Sequence, residues 1–263
     1  MSARFAPPVC LGIAIALGAC AKEVPIVEVA GECAEVFSGR LCTWARMQGD
    51  SVLDVGAVVP LSAIESAPAD HPMTWPPTAV ATLALPAEAQ AKTGLTQLTM
   101  YWEAGGHPPG PFLTPHFDFH FYTVAPAEKA SMDCVSPVKP AALAAGYVLP
   151  DIALPPPMVA MIGVDTLFGL CVPQMGMHSL PGTEMEGTAP FRGTMVLGYY
   201  GGKPIFIEPM LSQAMLMEKA PFDLPIPSIP GLAGNYPRTF RAEFNAEQQA
   251  YRFVFSGFAS GTD

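Results

Sequence analysis

Along this chain apolar and polar positions alternate with a period of two far more often than with the period of a helix. The clearest run is Pro115-His116-Phe117-Asp118-Phe119-His120-Phe121-Tyr122. Successive side chains leave a β-strand on opposite faces, so one face of this segment carries His116, Asp118 and His120, and the other Phe117, Phe119 and Phe121. Looser alternation predicts a hairpin over residues 43–64 that turns at Gln48-Gly49-Asp50, and strands over 79–85 and 98–103. Two more hairpins follow, 193–200 with 203–208 around Gly201-Gly202, and 238–244 with 251–258 over Asn245-Ala246-Glu247-Gln248. Helical signals are short. Residues 86–92 open on proline and are followed by Gly94, 126–130 make a single turn, and 210–217 read as a small apolar helix. The expected fold is mainly β, a curved sheet, barrel or sandwich with two or three short helices.

Residues 1–19 stand apart from this pattern. Arg4 precedes an apolar run from Val9 to Ala19, the plan of an export signal rather than of a membrane-spanning helix, and the run ends Leu17-Gly18-Ala19-Cys20. That ending resembles the lipobox of bacterial lipoproteins, in which the peptide is cut before the cysteine and the cysteine is acylated. The resemblance implies a membrane partner reached through lipidated Cys20, on the periplasmic face of the cell envelope, and Ala21 after it implies the outer membrane. The expected organisation is a signal peptide over 1–19, a tether and Cys33–Cys42 loop over 20–45, and one β-rich domain over 46–263. Within that domain the proline-rich stretch 221–237 is an extended connection leading to the last hairpin, 238–258.

Composition sharpens this picture. Thirty prolines oppose long helices and favour short strands joined by stiff loops. Charged residues are 14% of the chain and hydrophobic ones 50%, enough for a substantial core. The most apolar internal stretch, 158–172, contains Asp165, is too short to span a bilayer, and is expected in that core. Removing residues 1–19 takes away one Arg and no acid, leaving 12 basic against 23 acidic residues, formally −11. That charge, with so few scattered cations, excludes nucleic acid as a partner. Apart from Cys10 and Cys20, four cysteines remain: Cys33, Cys42, Cys134 and Cys171. An even number in an exported chain implies two disulfides, with three pairings open. Cys33–Cys42 with Cys134–Cys171 is the simplest, since each bridge closes a local loop; loop-closure entropy assigns them about 3 and about 4 kcal/mol.

The candidate chemistry lies in the histidines and carboxylates. His107 sits in a Gly/Pro-rich loop, His116, Asp118 and His120 share a strand face, His178 follows Met175-Gly176-Met177, and Glu208 ends the strand Ile205-Phe206-Ile207. Imidazole and carboxylate together suit zinc, iron or manganese. In a straight strand the Cα atoms of His116 and His120 are about 13 Å apart, whereas neighbours two apart are about 6.6 Å. Asp118 with one histidine is therefore an easier pair than the two histidines together, or Asp118 orients a ligating ring. Methionines 175 and 177 beside His178 raise copper(I) as a softer alternative. Nothing points to a nucleophilic enzyme, since no Gly-x-Ser-x-Gly occurs.

Four motifs occur in order: Gly106-His107-Pro108-Pro109, the octapeptide from Pro115 to Tyr122, Met175-Gly176-Met177-His178 and Phe206-Ile207-Glu208-Pro209-Met210. The set resembles an exported bacterial family of unknown function, typified by a stress-regulon protein of Thermus. The likeness covers residues 79–217 and departs at Ser179, where an aromatic residue is expected. The family implies a site map and no reaction.

The leading expectation is a lipid-anchored, disulfide-stabilised β-domain holding a divalent metal, zinc first, on His116, His120, His178 and Glu208, with His107 in reserve. Asp118 is then an orienting group or a general base. The alternative is a metal-free ligand-binding or structural module of the envelope or a stress response, with the same residues framing a pocket or a homo-oligomer contact.

Overall fold

A computed structural model describes residues 24–135, 137–186, 191–232 and 235–258. The segment expected to be a signal peptide, residues 1–19, and Cys20 lie outside the described residues. In chain order the strands are β1 (Ile26–Val36), β2 (Gly39–Gln48), β3 (Ser51–Pro60), β4 (Ala81–Ala84), β5 (Gln97–Glu103) and β6 (His116–Tyr122). There follow four two-residue strands, β7 (Tyr147–Val148), β8 (Ile152–Ala153), β9 (Thr166–Leu167) and β10 (Cys171–Val172). The last six are β11 (Gly176–Pro181), β12 (Gly193–Tyr200), β13 (Lys203–Ser212), β14 (Phe222–Pro225), β15 (Thr239–Asn245) and β16 (Ala250–Ser256).

Two antiparallel sheets make a sandwich-like body, and neither closes into a barrel. One has the order β1-β2-β3-β16-β15-β14; the other runs β10-β11-β12-β13-β6-β5-β4, with β7 added alongside β11. The phenylalanine face of β6 is the reason they adhere. Phe117, Phe119 and Phe121 are fully buried, each burial worth about 1.5–3 kcal/mol. Phe119 meets Phe253 edge-on at 4.9 Å between centroids and Phe121 meets Phe255 at 4.7 Å. Because the side-chain period is two, this contact commits His116, Asp118 and His120 to the opposite face of their sheet.

That opposite face is not in water. All seven residues of β6 are buried, because the chain between β6 and β11, with the loop before β6, folds over the sheet as a third layer. Met132, Leu154, Leu167 and Leu170 of this cover form a cluster with Phe112, Phe191, Val196, Phe206 and Met210. Its far end is tied by the Cys134–Cys171 disulfide, while Cys33–Cys42 bridges directly paired residues of β1 and β2. Both bonded pairs are those that simple loop closure favours.

Several local expectations are corrected. The chain read as a tether already runs as an edge strand from Ile26, paired with β2 from Gln48 backward. The described residues hold six short α-helices, Leu61–Glu65, Ala87–Thr93, Pro126–Ala130, Pro156–Ile162, Gly182–Met185 and Gln213–Met217, not two or three. Residues 210–212 extend β13, since Met210 and Leu211 pair with Asp118 and Phe117. The helix begins only after Ser212, whose Oγ accepts from the Met215 amide at 3.2 Å. Phe222–Pro225 of the proline-rich connection pairs with β15 as an edge strand. The apolar stretch 158–172 is only half core: Leu167, Leu170, Cys171 and Val172 turn inward, but Met161, Val164 and Phe168 are 43%, 47% and 56% exposed. A cover one layer thick has an outer side.

Candidate metal centre

Register decides which candidate residues meet. In the β6–β13 pair Ile207 lies opposite Phe121 and Met210 opposite Asp118, which sets Glu208 opposite His120 on the cavity face. His178 on β11 pairs with Gly198 on β12, and Gly198 with Phe206 on β13. A side chain at Gly198 would overlap the Phe206 ring. With hydrogen there, Phe206 lies across the strand and packs, tilted by 58°, with its centroid 4.6 Å from that of His120 and 5.2 Å from that of His178. His107 arrives on the loop after β5. Gly106 adopts φ +66° and has no room for a Cβ beside the Phe112 carbonyl, and the His107 amide donates to that carbonyl at 3.1 Å.

Two triplets result. His120, His178 and Glu208 form one; His107, His116 and Asp118 form the other. In each, one ligand atom per residue lies within 4.8 Å of the others. The four ligands expected from sequence are therefore divided: His120, His178 and Glu208 come together, whereas His116 joins His107 and Asp118. His120 Nε2 is 2.9 Å from Glu208 Oε2, His116 Nε2 is 3.4 Å from Asp118 Oδ1, and His107 Nε2 is 4.0 Å from Asp118 Oδ2.

Tautomers follow from the backbone. His107, His116 and His178 each place Nδ1 beside a carbonyl, of Pro108 at 2.9 Å, Thr114 at 2.6 Å and Leu170 at 2.9 Å. A carbonyl only accepts, so Nδ1 carries the proton and the neutral ring turns its Nε2 lone pair elsewhere. This is the arrangement that orients metal-ligating histidines. The atoms left over are buried and unpartnered: His116 Nε2, Asp118 Oδ1, both nitrogens of His120 and Glu208 Oε2. An unmet buried polar atom costs about 1–3 kcal/mol, so a cluster of them at ligand spacing is one that could hold a metal ion.

Electrostatics agree. Burial, then the neighbouring His107, pushes His116 down to about 3; burial, then His120, does the same to His178. Burial also lowers His107 and holds His120 well below its ordinary range. The rings are therefore neutral, the ligating form. Asp118 is raised well above the usual carboxylate range by burial and then by Glu208 and Glu103, and Glu208 is raised by burial. Among the described residues no Lys or Arg reaches either carboxylate. Sequence reasoning missed Glu103, which pairs with His116 across β5–β6 and is pushed up to about 7 by burial. Its one sequence signal is position: it ends a strand just before the loop that delivers His107.

Above these groups is a small cavity, partly open to solvent. Glu103, His107, Asp118, His178 and Glu208 line its polar side, and Trp75, Met158, Leu167 and Leu170 its apolar side. Met175 also lines it, but Met177 is fully buried in the inter-sheet core, so the two methionines do not flank His178 as a sulfur ligand pair. The described residues contain no helix long and apolar enough to cross a membrane. No protein-family profile, curated protein or solved structure matches the chain.

Proposed function

We propose that this is a metal-binding protein of the cell envelope, held at the membrane by lipidated Cys20, in which His120, His178 and Glu208 bind a divalent ion at the floor of the covered cavity. The observation that carries the reading is the convergence of buried ligand atoms: His120 Nε2 and Glu208 Oε2, 2.9 Å apart, met within 4.8 Å by a His178 ring whose Nδ1 is fixed to a carbonyl. Two imidazoles and a carboxylate suit zinc first, and also iron or manganese. Three protein ligands leave a position open toward the cavity. Water there would be acidified toward neutrality, and an apolar molecule carrying one oxygen donor would fit the walls. The two disulfides are those of a chain that folds in an oxidising compartment, and the resemblance to an exported bacterial family supports the same address.

Elemental analysis of the purified protein, prepared without a histidine tag, tests this. At least one equivalent of zinc, iron or manganese supports it. No bound metal after reconstitution overturns it, and leaves the metal-free binding or structural module.

A further inference from the structure

We propose that the cavity floor is a two-ion centre, with a second divalent cation between His107, His116 and Asp118. The inference rests on the reading of the first triplet as a metal position and adds a separate site to it. The His116 ring is fully buried, its Nδ1 donates to the Thr114 carbonyl, and its Nε2 lone pair therefore faces Asp118 Oδ1 at 3.4 Å. Neither of these two atoms has a hydrogen-bond partner. His107 repeats the arrangement from the other side: Nδ1 donates to the Pro108 carbonyl, and Nε2 points its lone pair at Asp118 Oδ2 from 4.0 Å. Two lone pairs aimed at the two oxygens of one carboxylate repel it in a low-dielectric setting unless a proton or a cation lies between them, and a divalent cation serves both rings at once. Among the described residues no Lys or Arg pairs with Asp118.

The two triplets belong to one centre. Asp118 pairs with Met210 across β6–β13, so Glu208, two residues from Met210 and on the same face, is its diagonal neighbour, about 7–8 Å away along the backbone. Both carboxylates line the same cavity, with Glu103 as a third. Lys129, over the Tyr101 and Tyr122 rings that pack on His120, is the nearby cation. With it, four neutral imidazoles and three ionised carboxylates carry −2, so a second divalent ion is held with anionic oxygen ligands from the open cavity. The ligand class is therefore an anion with a carboxylate or phosphoryl end reaching both ions and an apolar body against Trp75, Met158, Leu167 and Leu170.

Cobalt(II) titration of chelator-stripped protein, followed by absorbance and by elemental analysis after desalting, distinguishes the outcomes. The expected result is two equivalents, falling to one in His107→Asn/His116→Asn while the His120 site stays filled. One equivalent in the unaltered protein overturns the second site and leaves the first. Two equivalents that persist in the double variant also overturn it, because the second ion then lies elsewhere. No uptake at all removes both sites. If the double variant fails to fold, His107→Asn alone is decisive, since that ring is partly exposed on the loop and its loss should weaken the second equivalent at least tenfold without touching the first.

Discussion

His120 and Glu208 face one another across β6 and β13 with Nε2 and Oε2 2.9 Å apart, each side chain 1% exposed, and neither atom hydrogen-bonded. A charged pair in that position would be a costly ornament of a core; a shared ion gives both atoms a partner. Glu208→Gln keeps the shape and removes the charge. The expected outcome is zinc affinity reduced about 100-fold or more, since a ligand matters at least as much as the groups that orient one. The metal-free variant should unfold at the same or a higher urea concentration, because a buried carboxyl has been removed. A chelator-competition titration beside a urea melt reads both, and unchanged affinity would place the ion elsewhere.

How much of this site is visible in the chain depends on distance along it. The two faces of β6 are legible because alternation is local: three phenylalanines on one side required three polar residues on the other. So are the hairpins at Gly49 and at Gly201-Gly202, where strand and turn signals adjoin. The division of ligands is not local. His178 reaches His120 only through the strand order β11-β12-β13-β6, and Glu208 faces His120 rather than His116 through a register that no short window contains. The cover was least legible. Residues 134–160 have neither period, and their layer is set by the Cys134–Cys171 bond and by the leucines that close the cavity.

Metal uptake should depend steeply on pH. Burial raises Asp118 and Glu208 well above ordinary carboxylates, so in the metal-free protein they hold protons that a cation must displace. Affinity then rises with pH, about tenfold per unit for each proton released. Zinc titrations at pH 6, 7 and 8, and calorimetry in buffers of different ionisation enthalpy, measure the number; a flat profile contradicts protonated carboxyls.

Stability of the metal-free form should fall on both sides of a maximum. His116 and His178 are depressed to about 3, so the stability they contribute is complete above the ordinary value of 6.5 and is lost as pH falls from there toward 3. Each group contributes a slope of up to about 1.4 kcal/mol per pH unit. Glu103 runs the other way: raised to about 7, it favours the fold fully below its ordinary 4.5 and loses that contribution as pH rises through 7. Urea midpoints from pH 4 to 9 should show the maximum, and bound zinc should lift the alkaline limb most.

The two disulfides should separate in their effects. Cys134–Cys171 ties the cover across a loop of 37 residues, whereas Cys33–Cys42 links adjacent strands far from the cavity. Replacing Cys134 and Cys171 by serine should cost about 2–5 kcal/mol and speed zinc loss to a chelator at least tenfold, with amide exchange rising over residues 147–176. The Cys33/Cys42 serine pair should leave the zinc off-rate unchanged. Equal off-rates in the two variants would show that the cover does not guard the site.

Gly198 offers a test that touches no ligand. It lies between His178 and Phe206 in the sheet, and a Cβ there would overlap the Phe206 ring that packs against both His120 and His178. Gly198→Ala should displace that ring, cost about 1–3 kcal/mol from overpacking, and weaken zinc binding about tenfold through the tilt of the two imidazoles. Gly94→Ala is the control. Gly94 ends the helix Ala87–Thr93 at φ +73° with nothing within 4 Å of a new Cβ, so its substitution should cost about 1 kcal/mol of backbone strain and leave zinc affinity alone. If both variants lose the same stability and neither loses affinity, Phe206 fills space beneath the histidines without holding them.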